Sequence, residues 1–154
     1  PRRPACVPAV GAPAESQAIL VQTYWRFDAP DAALLAKWAR IREIRDVVNK
    51  EIEAVRSAGR VGSSLMAEVT LGVDAADRAL LETLGKDLKY VTITSKAVLD
   101  HAAQITVAVT TSQAMKCDRC WHYRDDVGAQ AAHPSLCARC VDNMFGAGEV
   151  RKVA

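Results

Sequence analysis

The 154 residues contain no apolar run approaching the roughly 18 needed to cross a bilayer, so no helical membrane span is expected. Aromatic residues are scarce, at 5%, and any core must be built from Leu, Val, Ile and Ala. The N-terminal PRRPACVPAVGAP has basic residues but no continuous apolar stretch behind them, which argues against a secretory signal. An initiating Met is missing, and either processing or excision from a longer protein accounts for that. Strong charge of one sign is missing too: a net +2 is too small to advertise a nucleic-acid binder by itself. No internal repeat or low-complexity tract is present. What remains is an ordinary globular composition, half apolar and a quarter charged. Its length suits one domain, or a body with a small appended module.

Residues 1–18 are rich in Pro, Ala and Gly without a period and read as a linker. Ile19–Trp25 has the character of one short strand. From Asp31 to about Ala58, Leu34, Trp38, Ile41, Val48, Ile52 and Val55 recur at helical steps and form one apolar stripe. Asp31 stands where a cap belongs, and Gly59 where a helix commonly stops. Arg42, Arg45 and Arg56 border that stripe, either as a solvated flank with packed stems or as a phosphate-facing edge. Beyond it, Leu65–Leu71 reads as a strand, Ala75–Leu84 as a short helix, and Tyr90–Thr94 and Ile105–Thr110 as strands. One long helix followed by strand, helix, strand and strand predicts an α+β body. The composition changes at Thr111-Ser112.

Five cysteines is an odd number, and four of them form two CxxC pairs, which suits a metal in a reducing compartment better than a disulfide framework. Cys117-Asp-Arg-Cys120 and Cys137-Ala-Arg-Cys140 stand sixteen residues apart, within the spacing of four-cysteine zinc sites. Each CxxC turn directs two sulfurs to one edge of a tetrahedron, and four thiolates leave no open position, so the expected Zn²⁺ is structural and not catalytic. A redox CxxC would stand alone near a βαβ unit, and iron–sulfur clusters use other spacings. His122 and His133 lie close enough in sequence to replace a cysteine as ligand. His101 reads as a surface or packed residue and Cys6 as a free thiol. Residues 112–154 are too poor in apolar side chains to fold unaided, so metal binding should supply folding free energy on the order of 10 kcal/mol. Lys116, Arg119, Arg124, Arg139, Arg151 and Lys152 face Asp118, Asp125, Asp126, Asp142 and Glu149. With about −2 from a Zn(Cys)₄ centre, the module is near neutral or slightly acidic. Only a local cluster of arginines at the knuckles, with Trp121 and Tyr123 as stacking faces, would mark an RNA surface. Trp121 reads equally as a cap over the metal site's small core.

The strings KCDRCWHYRDDVG (Lys116–Gly128) and HPSLCARCVDNMFGAGEVRKVA (His133–Ala154) closely resemble the C-terminal zinc module of bacterial-type isoleucyl-tRNA synthetases. WARIREIRDVVNKEIEAVRSAGRVGSSLMAEVTL (Trp38–Leu71) is similar to that family's last anticodon-domain helix and the strand after it. The resemblance implies a C-terminal portion: residues 1–30 as a tail of the preceding region, 31–60 as the last helix of a helical anticodon-binding domain, 61–111 as a small α+β junction domain, and 112–154 as a zinc-ribbon-like module. It implies Cys117, Cys120, Cys137 and Cys140 as ligands of one Zn²⁺. Arg119, Trp121, His122, Arg124 and Arg139 become candidates for contact with the anticodon arm of tRNA(Ile). The other implied partner is the remainder of the synthetase chain, in the cytoplasm, with neither DNA nor membrane. The family's HIGH and KMSKS sequences, which serve ATP-dependent activation of isoleucine, are absent, so no catalytic residue is expected here and ATP belongs to a catalytic domain outside this chain. Two rivals stand beside this. A free-standing zinc-ribbon interaction module fits the charge balance. Formamidopyrimidine-type DNA glycosylases share the finger spacing and an N-terminal proline, but Pro1 is followed by Arg2 and Arg3 where they carry an acidic residue.

Overall fold

A computed structural model describes residues 28–150, of which those from Ala32 onward belong to one compact unit. The strand expected over Ile19–Trp25 lies outside the described residues. Helix α1 (Ala32–Ser57) buries Ile41, Ile44, Val48, Ile52 and Val55, a stripe at three- and four-residue steps. Leu34 falls outside it, 49% exposed, and Trp38 is half-buried. The helix ends in a Schellman turn. Arg60 N–H donates to Val55 O (3.2 Å) and Gly59 N–H to Arg56 O (2.9 Å), which requires the positive φ of +73° that glycine adopts freely.

Strand β1 (Ala67–Val73) follows a single 3₁₀ turn at Ser64–Met66 and occupies the centre of a three-stranded sheet. On one side it pairs in parallel with β2 (Lys96–His101), on the other antiparallel with β3 (Thr106–Thr111), placing Leu71 between Leu99 and Val107. A parallel neighbour demands a crossover. It is made by α2 (Ala75–Glu82), a 3₁₀ turn at Gly85–Asp87 and α3 (Leu88–Val91). Val69, Leu71 and Val73 join the α1 stripe and Leu81, Leu84 and Leu88 of the crossover in one core, while Thr70, Val98, Ala108 and Thr110 of the opposite face are exposed. The architecture is α+β.

One expected element is corrected. Tyr90–Thr94 is not a strand. Tyr90 and Val91 complete α3, and Thr94 N–H donates to Lys89 O (2.9 Å) across Ile93, which sits at φ +54° and closes the helix as glycine usually does. Thr92 Oγ1 donates to Leu88 O (3.2 Å) and bonds Thr94 Oγ1 (2.8 Å), so this segment is stitched into a turn. The strand that pairs with β1 begins later, at Lys96.

Candidate metal centre and its cationic surround

The finger is built from two turns. Strands β4 (Met115–Lys116) and β5 (Tyr123–Arg124) pair as a minimal antiparallel hairpin, and Cys117 to Trp121 form its tip. Cys117 N–H donates to His122 O and Trp121 N–H to Cys117 O, both at 2.9 Å, folding the knuckle so that Cys117 and Cys120 point the same way. This turn needs a left-handed residue after Cys120, and Trp121 supplies it at φ +63°, a conformation costing a non-glycine residue about 1–2 kcal/mol. The second pair begins α4 (Ala138–Phe145). Cys137 is its N-cap residue, and Val141 N–H donates to Cys137 O (3.0 Å). The two turns are laced together by Asp118 N–H to Ser135 O (3.1 Å) and Gly128 N–H to Leu136 O (3.2 Å).

The result brings the four Sγ atoms within 4.8 Å of one another. Cys117, Cys137 and Cys140 are buried and Cys120 is partly so. A Zn–S bond of about 2.3 Å fixes the edge of an S₄ tetrahedron at about 3.8 Å, and Cys120 Sγ lies 3.8 Å from Cys137 Sγ. The donor set and its spacing therefore fit one structural Zn²⁺. Neither histidine joins this cluster. His133 stacks on Phe145 (centroids 4.1 Å apart, planes within 4°), and His122 Nδ1 donates to Cys120 O (3.0 Å).

The thiols are unequal. Burial would raise the Cys117 pKa, but backbone N–H groups of Cys120, Cys137 and Arg119 and the Cys120 thiol more than offset it and bring it to about 6. Cys137 is pushed up to about 12, by burial first and then by its crowded neighbours Cys140 and Cys120. Cys120 is also raised, again by burial before anything else. One cysteine is thus ready as a thiolate at neutral pH, while Cys120 and Cys137 surrender protons when a dication arrives.

Around this centre the candidate contact residues divide. Trp121 is 59% exposed and outside the thiol core, with Nε1–H donating to Asp118 O (3.1 Å) and Lys116 Nζ 5.4 Å from its ring centroid. Arg119, on the same turn, approaches Cys140 Sγ at 3.8 Å. The other three face the body. His122 sets its ring edge-on to Tyr90 (5.3 Å, 78°), and its Nε2 is buried without a hydrogen-bond partner among the described residues. Burial, followed by repulsion from Lys89, Arg139 and Arg124, holds its pKa below the ordinary histidine range against the pull of the Cys120 carbonyl. Arg139 lies 5.1 Å from the Tyr90 centroid and forks onto Glu149 (2.8 and 2.5 Å), while Arg124 forks onto Asp126 (2.8 and 2.9 Å). On α1, Arg42 is exposed, Arg56 pairs with Glu53 (3.3 Å), and the buried Nε of Arg45 has no hydrogen-bond partner among the described residues.

A family model described as "Zinc finger found in FPG and IleRS" matches residues 116–143. Its description names the glycosylases and the synthetases together, so it does not separate them. Longer matches do. An isoleucine–tRNA ligase of Burkholderia cenocepacia is 49% identical over 144 residues, 90% of this chain and 15% of the relative. Another, from Thiobacillus denitrificans, is 56% identical over 121 residues, 79% of this chain and 13% of the relative. The chain matches the C-terminal region of isoleucine–tRNA ligases. A Chromobacterium violaceum isoleucine–tRNA ligase agrees, 48% identical over 144 residues, 91% of this chain and 16% of the relative. The chain thus spans about one sixth of the length of the curated ligases it matches. Among the described residues of this ligase-like region, no helix is long and apolar enough to cross a membrane.

Sequence reasoning missed the residues that seat the ligase-type finger on the body. Ser95 Oγ accepts Tyr123 N–H (2.6 Å) and donates to Leu65 O, so one hydroxyl bridges finger and body. Tyr90 receives His122 and Arg139 from the finger. Neither residue belongs to a motif, and only their place in the fold, Tyr90 within α3 and Ser95 just before β2, reveals the role.

Proposed function

We propose that this chain is the tRNA-binding C-terminal part of an isoleucine–tRNA ligase, in which Cys117, Cys120, Cys137 and Cys140 hold one Zn²⁺. Bound zinc would supply a rigid cross-link between the two turns and no reaction chemistry, since all four positions are taken by sulfur. The whole enzyme, a class I synthetase of the cytoplasm, would attach isoleucine to tRNA(Ile) with ATP. This part would be inactive alone and would present its outer turn to the anticodon arm. Residues 31–60 would close the helical anticodon-binding domain, 61–111 would form the junction domain, and 112–154 the finger.

The observation that carries this reading is the 49% identity to an isoleucine–tRNA ligase over 90% of the chain. The exposed Trp121, with Lys116 and Arg119 on the same turn, supports RNA contact, because an aromatic face flanked by cations suits an unstacked base and its phosphate. His122, Arg124 and Arg139 would act nearer the body.

The test is fluorescence anisotropy of a labelled tRNA(Ile) anticodon stem-loop and an unrelated stem-loop, from about 50 to 200 mM salt. Preference for the first, weakening with salt and lost in Trp121→Ala, is expected. Equal binding of both, or indifference to salt, refutes anticodon recognition.

A further inference from the structure

Between the α2–α3 corner and the finger lies a cleft of about 710 Å³, lined by Lys86, Lys89, Tyr90, Arg124 and Arg139 among others. Its carboxylates are mostly engaged. Glu149 is held by Arg139, Glu82 by Arg78 (2.8 Å), and Arg124 has its own partner in Asp126. Asp87 lines the cleft as well.

Lys89 differs from the arginines. It is half-buried and makes no ion pair among the described residues; its ammonium sits 5.3 Å from the Tyr90 ring centroid. Burial first, then repulsion from Arg124 and Arg139, keeps that ammonium below the ordinary lysine range, with Asp126 and Cys120 opposing weakly. A half-buried cation facing two guanidiniums is a site whose electrostatics an anion would relieve. The anion's chemistry follows from the wall. The Tyr90 ring already carries Arg139, Lys89 and the edge of His122, so it offers no face for a base. What the cleft offers is charge and hydrogen-bond donors, in a space within the usual range for a nucleotide-sized group.

We propose that this cleft binds a phosphodiester of the RNA backbone, with Lys89 as the direct contact, Lys86 at the rim, and Arg124 and Arg139 as positioning residues locked by Asp126 and Glu149. The proposal rests on the RNA-binding reading above and adds a second, sequence-independent foothold beside the Trp121 turn. Contacts to phosphate set register, and contacts to bases set specificity. Because one wall belongs to the body and the other to the finger, the foothold exists only while the finger is folded and seated.

The test uses the whole zinc-loaded chain and its Lys89→Gln, Lys89→Glu and Lys89→Arg variants with the two stem-loops, zinc content and melting temperature serving as controls for folding. Lys89→Gln is expected to weaken binding of both RNAs alike by about two- to fivefold and to flatten the salt dependence by about 0.7–0.9 in log–log slope. Lys89→Glu should weaken it further, and Lys89→Arg should restore it. If the wild-type chain binds RNA but Lys89→Gln changes neither affinity nor slope, the cleft is no phosphate site and the anticodon reading survives. If Lys89→Gln harms only the cognate RNA, the cleft reads bases and the proposal fails. Should the wild-type chain bind neither stem-loop, both readings fall together.

Discussion

Removing zinc from the intact chain should melt the finger and spare the body. The finger's core holds Cys117, Val127, Cys137 and Cys140, with Cys120 and Leu136 partly buried, so beyond the sulfurs that cluster has two aliphatic side chains, and Val141 of α4 is the other buried aliphatic of the finger. The main core cluster of the body alone has ten buried residues drawn from α1, β1 and the crossover. A bound zinc contributes about 10 kcal/mol to a small finger, far more than burial of Val127 and Leu136 at roughly 1.5–3 kcal/mol each. The loss should be visible and bounded. Helix α4 has 8 residues, against 26, 8 and 4 in α1, α2 and α3. Far-UV circular dichroism should therefore lose about one sixth of its helical signal. Amides of α4 and the hairpin should exchange rapidly while those of α1 and β1 stay protected. Reloading the melted finger should release at least two protons, because free thiols with an ordinary pKa of about 8.5 are mostly protonated near neutrality. Apparent zinc affinity then rises by at least about a hundredfold per pH unit near pH 7–8 and weakens as pH falls. A spectrum unchanged after complete demetallation, or collapse of the whole chain in one transition, would refute the reasoning.

The Arg40–Asp77 fork (2.9 and 2.7 Å) ties α1 to α2, and the guanidinium holds the Asp77 carboxyl below the usual range. A depressed carboxyl contributes stability above its unfolded pKa of about 3.9 and loses it as pH falls through the folded value. Asp77→Asn should cost about 1–2 kcal/mol at pH 7, discounted for the exposure of Arg40, and the difference from wild type in urea melts should shrink towards zero on acidification below about pH 4. Gly128 combines φ +81° with a position where a Cβ would stand 3.0 Å from Pro134 O. Gly128→Ala should cost at least about 1 kcal/mol and lower zinc affinity in a chelator competition, with the body's melting unchanged. Leu71, 1% exposed at the centre of the sheet, should lose about 2–5 kcal/mol on truncation to Ala and melt at clearly lower temperature, with zinc still bound.

What could be seen in advance depended on how local each signal was. Helix α1 showed through because its buried residues, Ile41 to Val55, repeat over about four turns, long enough for the period to dominate. The thiol cluster was legible because CxxC spacing encodes the turn that aims the sulfurs. Strand β2 was hidden, since KAVLDH contributes only Ala97 and Leu99 to the core and its pairing with β1 is set across the crossover. YVTIT alternates like a strand, but Leu88 is buried with Leu84 and the Thr92 and Thr94 hydroxyls tie the segment into a helix end. The seat of the finger was invisible for a different reason. Tyr90 meets His122 and Arg139, and Ser95 meets Tyr123, only after the chain has doubled back, and no local pattern records those meetings.

The stretch joining the two cysteine pairs has a permissive middle, because Ala129 to Ala132 are exposed and lie inside the loop that the single Gly128 N–H to Leu136 O bond closes. Closing a longer loop there costs only about 0.6 kcal/mol for each doubling of its length. The two residues inside each CxxC have no such freedom, since they set the aim of the sulfurs. Proteins built on this plan can therefore differ widely in how far apart the pairs stand while each pair keeps its own spacing. A fluorophore or affinity tag spliced in at Gln130 would ride on the finger without loosening its hold on the metal.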